Sequence, residues 1–180
     1  PLDGEAAIAF AHSCRDAAPM FLEEPVWPPE DFATLATVRT RGGLGVAAGE
    51  NACTVHQFRQ MMQAGAVSHA QPSVIKVGGV TEYLKVAALA DEYGIRLAPH
   101  SPYFGPGFLA TLQLLALRDD ASFVEVCLPP WQAGLACFLD AHSPLPALAR
   151  RVLGLATDTT HVLKVMNKSY AMNRHVKNSS

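Results

Sequence analysis

The sequence is short of charge. Asp, Glu, Lys and Arg make up only 17% of its 180 residues, and the formal net charge is -2. A chain so weakly charged and 49% hydrophobic is neither a disordered tail nor a polybasic arm, and carries no field that draws it to nucleic acid or an anionic membrane. No apolar run approaches the ~20 residues of a bilayer-spanning helix, so no membrane partner is expected. Cysteine is sparse: Cys14, Cys53, Cys127 and Cys137 form no CxxC pair. That excludes a zinc frame or disulfide scaffold and leaves the expectation of reduced, mostly buried thiols in a cytoplasmic protein. The chain opens Pro1-Leu2-Asp3 without an initiator Met or a signal peptide, and a piece of a longer chain is expected.

What is present is enough chain for one domain with a core, organised by a recurring pattern. Short apolar runs at Met20–Leu22, Leu44–Ala48, Val74–Val77, Ile95–Ala98 and Phe123–Leu128 lack clean polar alternation, as strands covered on both faces do. Stretches of helical period lie between them. Gly4 to about Asp16 buries Ala7, Ile8 and Ala11. Pro28 and Pro29 open a helix with Phe32, Leu35 and Ala36 inward, closed by Gly42-Gly43. Thr54 and Gln57 form a capping box before Phe58, Met61 and Met62, ended by Gly65. Thr81 caps a helix with Leu84, Ala87 and Ala88 inward, stopped at Gly94, and another runs from about Gly107 through Leu109, Leu112 and Leu115. Such alternation implies right-handed crossovers and a parallel sheet.

Polar residues fall at the ends of successive strands: Glu23, Glu50, Ser73, His100 and Glu125, spaced 27, 23, 27 and 25 apart. A site at every strand end fits a (β/α) barrel better than an open doubly wound sheet, which concentrates its site at one switch point. The predicted fold is therefore α/β: part of a TIM-type barrel of about five parallel strand-helix units over 1–130. Five strands cannot close, so the remainder is expected outside the sequence given. Residues 131–180 are expected to be a divergent segment, helical or poorly ordered.

Carboxylates at neighbouring strand ends, Glu23 and Glu50, point into one mouth, where both ionise cheaply only beside a cation; carboxylate-rich oxygen ligation suits Mg2+. The alternative is that each acid caps the following helix or meets an arginine. His100, two units after Glu50, titrates in the range a general base needs. Gly78-Gly79 before a helix reads as a tight turn, with an anion cradle as the alternative.

The segments FLEEPVWPPEDF, VAAGEN, QPSVIKVGGVTEYLKVAALADEYGI and LAPHSPYFGPG, in this order and spacing, resemble the enolase superfamily, most closely its mandelate racemase and muconate lactonizing branch, over roughly residues 1–128. The resemblance implies a modified TIM barrel with a capping domain and Mg2+ held by three acids, of which Glu23 and Glu50 are two and the other would precede Pro1. It makes His100 the base, Ser73 the occupant of the position of its aspartate partner, and Glu125 the acid that hydrogen-bonds a substrate carboxylate. The implied chemistry is removal of the proton α to a carboxylate through an enediolate, with dehydration of an acid sugar favoured and racemisation or a muconate-type cycloisomerisation as alternatives. Serine at position 73 supplies no charge to stabilise an imidazolium. A catalytically incomplete, inactive fragment and a phosphate-binding module remain alternatives of other classes. The low charge leaves room for a large assembly interface, and a homo-oligomer is expected of the full-length form.

Overall fold

Local hydrogen bonding fixes where each helix starts. The computed structural model describes residues 2–103, 105–118 and 124–125, all within the unit Pro1–Pro129. Helix α1 spans Gly4–Ser13, with Asp3 accepting the Ala6 N–H at 2.9 Å as its N-cap. It buries Ala7, Ile8 and Ala11 as expected, and a 3-10 turn follows at Arg15–Ala17. Helix α2 spans Phe32–Gly42 and is opened by Asp31, not by Pro28 and Pro29, which lie before it. Asp31 accepts the Thr34 hydroxyl at 2.7 Å and the Thr34 N–H at 3.0 Å, and these bonds hold its carboxyl below the ordinary value. Leu35, Val38 and Gly42 face inward, while Ala36 is only half-buried.

Helix α3 spans Val55–Gln63 and buries Phe58, Met61 and Met62. Thr54 accepts the Gln57 N–H at 3.2 Å, and the Gln57 side chain reaches back to the Cys53 N–H at 2.8 Å, one residue earlier than a standard capping box. Helix α4 spans Val80–Tyr93, and its N-cap is Gly79 rather than Thr81, which lies inside the first turn. Gly79 sits at φ +96°, where a residue with a Cβ is strained, and its N–H donates to the Val74 carbonyl at 3.0 Å. The tight-turn reading of Gly78-Gly79 therefore describes it. The buried face of α4 is Tyr83, Val86, Ala87, Leu89 and Ala90, whereas Leu84 is 45% exposed and Ala88 is also exposed. Two apolar stripes run side by side along this helix, and periodicity alone does not choose between them. Helix α5, Pro106–Ala116, buries Leu112 and Leu115 as expected.

Four parallel strands lie between the helices, in the order β1 (Leu22–Glu23), β2 (Val46–Ala48), β3 (His69–Ala70), β4 (Arg96–Leu97). Three of the expected runs contain or overlap a strand, but Val74–Val77 does not. Pro72 removes a ladder donor just before it, and the Lys76 and Val77 N–H groups both turn back to the Ser73 carbonyl at 3.0 and 2.9 Å. The strand lies earlier, at His69–Ala70, where a polar inward residue breaks the apolar run. Of the fifth expected strand, Phe123–Leu128, only Val124 and Glu125 are described, outside any strand. Cys127, Cys137 and the segment 131–180 lie outside the described residues. Cys14 is half-buried and Cys53 exposed, both free, so neither matches the expected buried thiol. Among the described residues no helix is long and apolar enough to cross a membrane.

Register decides which side chains share a face. Glu23, Ala47, His69 and Arg96 pair across the sheet at one level, while Ala48, Ala70 and Leu97 pair at the next. Alternation sends those two rows to opposite faces. Val46, Ala48, Ala70 and Leu97 join Leu35, Phe58, Met61, Tyr83 and Val86 in the core beneath the helices. The Glu23 row occupies the other face. The α4 register makes a clean comparison: Leu89→Ala should cost about 2–5 kcal/mol because it opens a cavity, and Leu84→Ala about 0.5 kcal/mol or less. Urea unfolding reads both, and equal losses would mean that the stripe is assigned wrongly.

Candidate functional site

The carboxyl ends of the strands deliver the candidate residues. Glu23 ends β1 on the inner face and is itself exposed. Alternate strands of a barrel meet on its inside, and here the Gln71 side-chain amide, just past β3, donates to Oε1 of Glu23. Gln71 is only 3% exposed, and its own Oε1 is buried with no hydrogen-bond partner among the described residues. Glu24 turns the other way: its two oxygens accept the Gly49 N–H and Nδ2 of Asn51, each at 3.1 Å. Those residues flank Glu50.

His100 stands three residues past β4, with its side chain 14% exposed. Its Nδ1 lies 3.0 Å from Oε2 of Glu50 and 3.3 Å from Oε2 of Glu125. The ring's pKa is raised above the ordinary 6.5, with the nearby Glu125 carboxylate as the largest cause, although buried Nδ1 meets no partner among the described residues with hydrogen-bond geometry. Burial opposes this, the Glu50 and Glu125 charges reinforce it, and the Lys76 ammonium subtracts from it. Ser101 ties the two segments together: its N–H donates to Oε2 of Glu125 at 3.3 Å, and its hydroxyl donates to the Glu125 backbone carbonyl at 2.7 Å. His69, on the inner face below Gln71, differs from His100. Burial and the Arg96 charge lower its pKa, and its Nδ1 meets the Ser68 hydroxyl at 2.9 Å.

Of the five residues singled out in the sequence, Glu50, His100 and Glu125 come together in direct contact. Glu23 is tied to Gln71 instead, and no contact joins it to the other three. Ser73 is fully buried, but its hydroxyl has no partner among the described residues, so it does not orient the His100 ring. The carboxylates of Glu50 and Glu125 lie nearest Nδ1 instead, at 3.0 and 3.3 Å. Gln71, Ser101 and Glu24 were not identified from sequence. For Gln71 a signal existed: it stands two residues after His69 and so on the same face.

The donors available to a metal are hard oxygens: the carboxylates of Glu23 and Glu50 and the orphaned, buried Oε1 of Gln71. That chemistry fits Mg2+. Among the described residues no group of three or more His, Cys, Asp or Glu side chains is placed to hold a metal ion.

Comparison with known proteins agrees with this architecture. Residues 2–150 match the family described as enolase C-terminal domain-like. The D-galactonate dehydratase of Ralstonia pickettii (strain 12J) is 42% identical over 92 residues, covering 51% of this chain and 24% of the relative. That of Cronobacter sakazakii is 37% identical over 107 residues, 59% of this chain and 28% of its own. The chain thus spans about a quarter of the length of these relatives. Among solved structures, the L-talarate dehydratase of Polaromonas sp. JS666, complexed with Mg and L-glucarate, aligns at TM-score 0.53 and 26% identity over 55% of this chain and 26% of its own. The 3,6-anhydro-D-galactonate cycloisomerase of Zobellia galactanivorans aligns at TM-score 0.63 and 28% identity over 69% and 35%. With four parallel strands alternating with helices as part of a TIM-like barrel, and the family match covering most of its length, the chain belongs to the enolase C-terminal domain-like family.

Proposed function

We propose that this chain supplies part of the mouth of a barrel enzyme that removes the proton α to the carboxylate of a sugar acid, with dehydration as the outcome. The observation that carries the reading is the approach of His100, just past β4, to Glu50, just past β2, and to Glu125. The relatives include D-galactonate dehydratases, which supports a sugar acid as substrate class.

Glu23 and Glu50 are the residues that would hold Mg2+, and the ion would supply positive charge to offset the enediolate as it develops. His100 is the proton carrier. With Nδ1 directed to the carboxylates, Nε2 is the atom left to face substrate, and it takes or returns the proton there. Glu50 and Glu125 hold the ring and favour its charged form, the task that the serine at position 73 cannot perform. Glu125, anchored by Ser101, also fits the part of a contact to the substrate carboxylate. The homo-oligomer expected of the full-length form belongs to this proposal.

Three measurements test it. Glu50→Gln should weaken Mg2+ binding to the chain at least ~10-fold by titration calorimetry; an unchanged isotherm takes Glu50 off the ligand list. In a barrel completed with the remaining segments of the Ralstonia pickettii enzyme, exchange of the α-proton of D-galactonate with D2O should fall ~100- to 10,000-fold in His100→Asn. Retained exchange would assign the base elsewhere. The third measurement is pH dependence. Because the folded ring binds its proton more tightly than the unfolded chain, its stabilisation is complete below 6.5 and is lost as pH rises through the raised value. The Tm gap between wild type and His100→Asn should therefore narrow as pH climbs above that point, and a gap independent of pH contradicts it. His69 acts in the opposite sense in both proteins, because its lowered value costs stability as pH falls below 6.5.

A further inference from the structure

Glu24 follows Glu23 directly, and none of the chemistry above uses it. Its backbone sits at φ +38°, in the left-handed region where a residue with a side chain is strained. The turn sends two consecutive carboxylates to different places, Glu23 to Gln71 and Glu24 to the loop after β2. There, Oε1 of Glu24 accepts the Gly49 N–H and Oε2 accepts Nδ2 of Asn51, both at 3.1 Å. The residue between those two is Glu50, whose Oε2 is 3.0 Å from His100. From below, the loop is pressed onto α3: Gly49 has φ +120°, and a Cβ there would stand 2.7 Å from the Phe58 ring. The Ala52 N–H closes the turn on the Gly49 carbonyl at 3.1 Å.

We propose that Glu24 is a positioning residue whose carboxylate staples both flanks of Glu50 and so sets where the Glu50 carboxylate stands. Two charge-assisted bonds at residues 49 and 51 leave the intervening residue little freedom, and a strained backbone is retained where the surroundings over-determine it. The consequence for a divalent cation rests on the function proposed above; the consequence for the loop does not.

The test is Mn2+ binding to the full chain followed by EPR, with hydrogen exchange at the Ala52 amide read in parallel. Glu24→Ala should bind Mn2+ ~10- to 100-fold more weakly, the loss typical when an outer partner of a ligand is removed. Glu24→Gln keeps one acceptor and should fall between. Glu24→Gly relieves the left-handed strain, so it should melt no lower than Glu24→Ala and yet bind Mn2+ no better, which separates positioning from stability. Adding Asn51→Ala to Glu24→Ala should cost nothing more, since both remove one shared contact. Mn2+ affinity in Glu24→Ala and Glu24→Gly within about twofold of wild type, a difference within ordinary additivity error, overturns the proposal while leaving the metal reading intact. Should Glu24→Ala not fold, Asn51→Ala alone decides, with about a tenfold loss expected and no loss overturning it. If the wild-type chain binds no Mn2+, the metal reading fails, and exchange decides the loop: faster exchange of Ala52 in Glu24→Ala supports the staple, and an unchanged rate refutes it.

Discussion

Glu50 and Glu125 both bring a carboxylate oxygen to within 3.3 Å of the same imidazole nitrogen. Two carboxylates brought to one partly buried corner favour positive charge between them. His100 supplies that charge when protonated, so the ring's raised pKa and the closeness of the acids are one fact seen from two sides. The remaining architecture serves this convergence. Parallel strands in sequential order put their carboxyl ends along one rim, and the register assigns apolar residues to the helix side and Glu23, His69 and Arg96, with Ala47, to the other.

Around that corner the supporting contacts come from the backbone as much as from side chains. Ser101 gives an N–H to one carboxylate, and Gly49 gives one to another. The resemblance read in the sequence put Ser73 where a charged partner of His100 was expected; its hydroxyl is buried without a partner among the described residues, and the carboxylates near Nδ1 are those of Glu50 and Glu125. A ring held by two acids from its own rim keeps its proton more firmly than one held by a neutral serine.

Much of this was legible in the sequence, for identifiable reasons. Gly43 and Gly94 sit at the helix ends they were expected to close, because stop signals are local. Glu50, His100 and Glu125 could be placed because spacing of about one strand-helix unit is a one-dimensional property of the barrel. The third strand was misplaced because an apolar run, Val74–Val77, outweighed a true strand whose inward position is the polar His69. The periodicity of α4 points to a stripe one position later than the buried one, since Leu84 and Tyr83 satisfy the same period. Gln71, Ser101 and Glu24 were missed for another reason. Their partners lie 48, 24 and 25 residues away in the chain, and no local pattern encodes a hydrogen bond over that distance.

The sequential strand order has a consequence for how the molecule is made. Among the described strands, β2, β3 and β4 each pair with the one synthesised just before, so a chain emerging residue by residue can dock each of these units on its predecessor without waiting for a distant partner. The amide of Gln71 reaches Glu23 across the intervening β2. The first acid thus receives its donor only after two further units have left the ribosome, and the rim matures in the direction of translation.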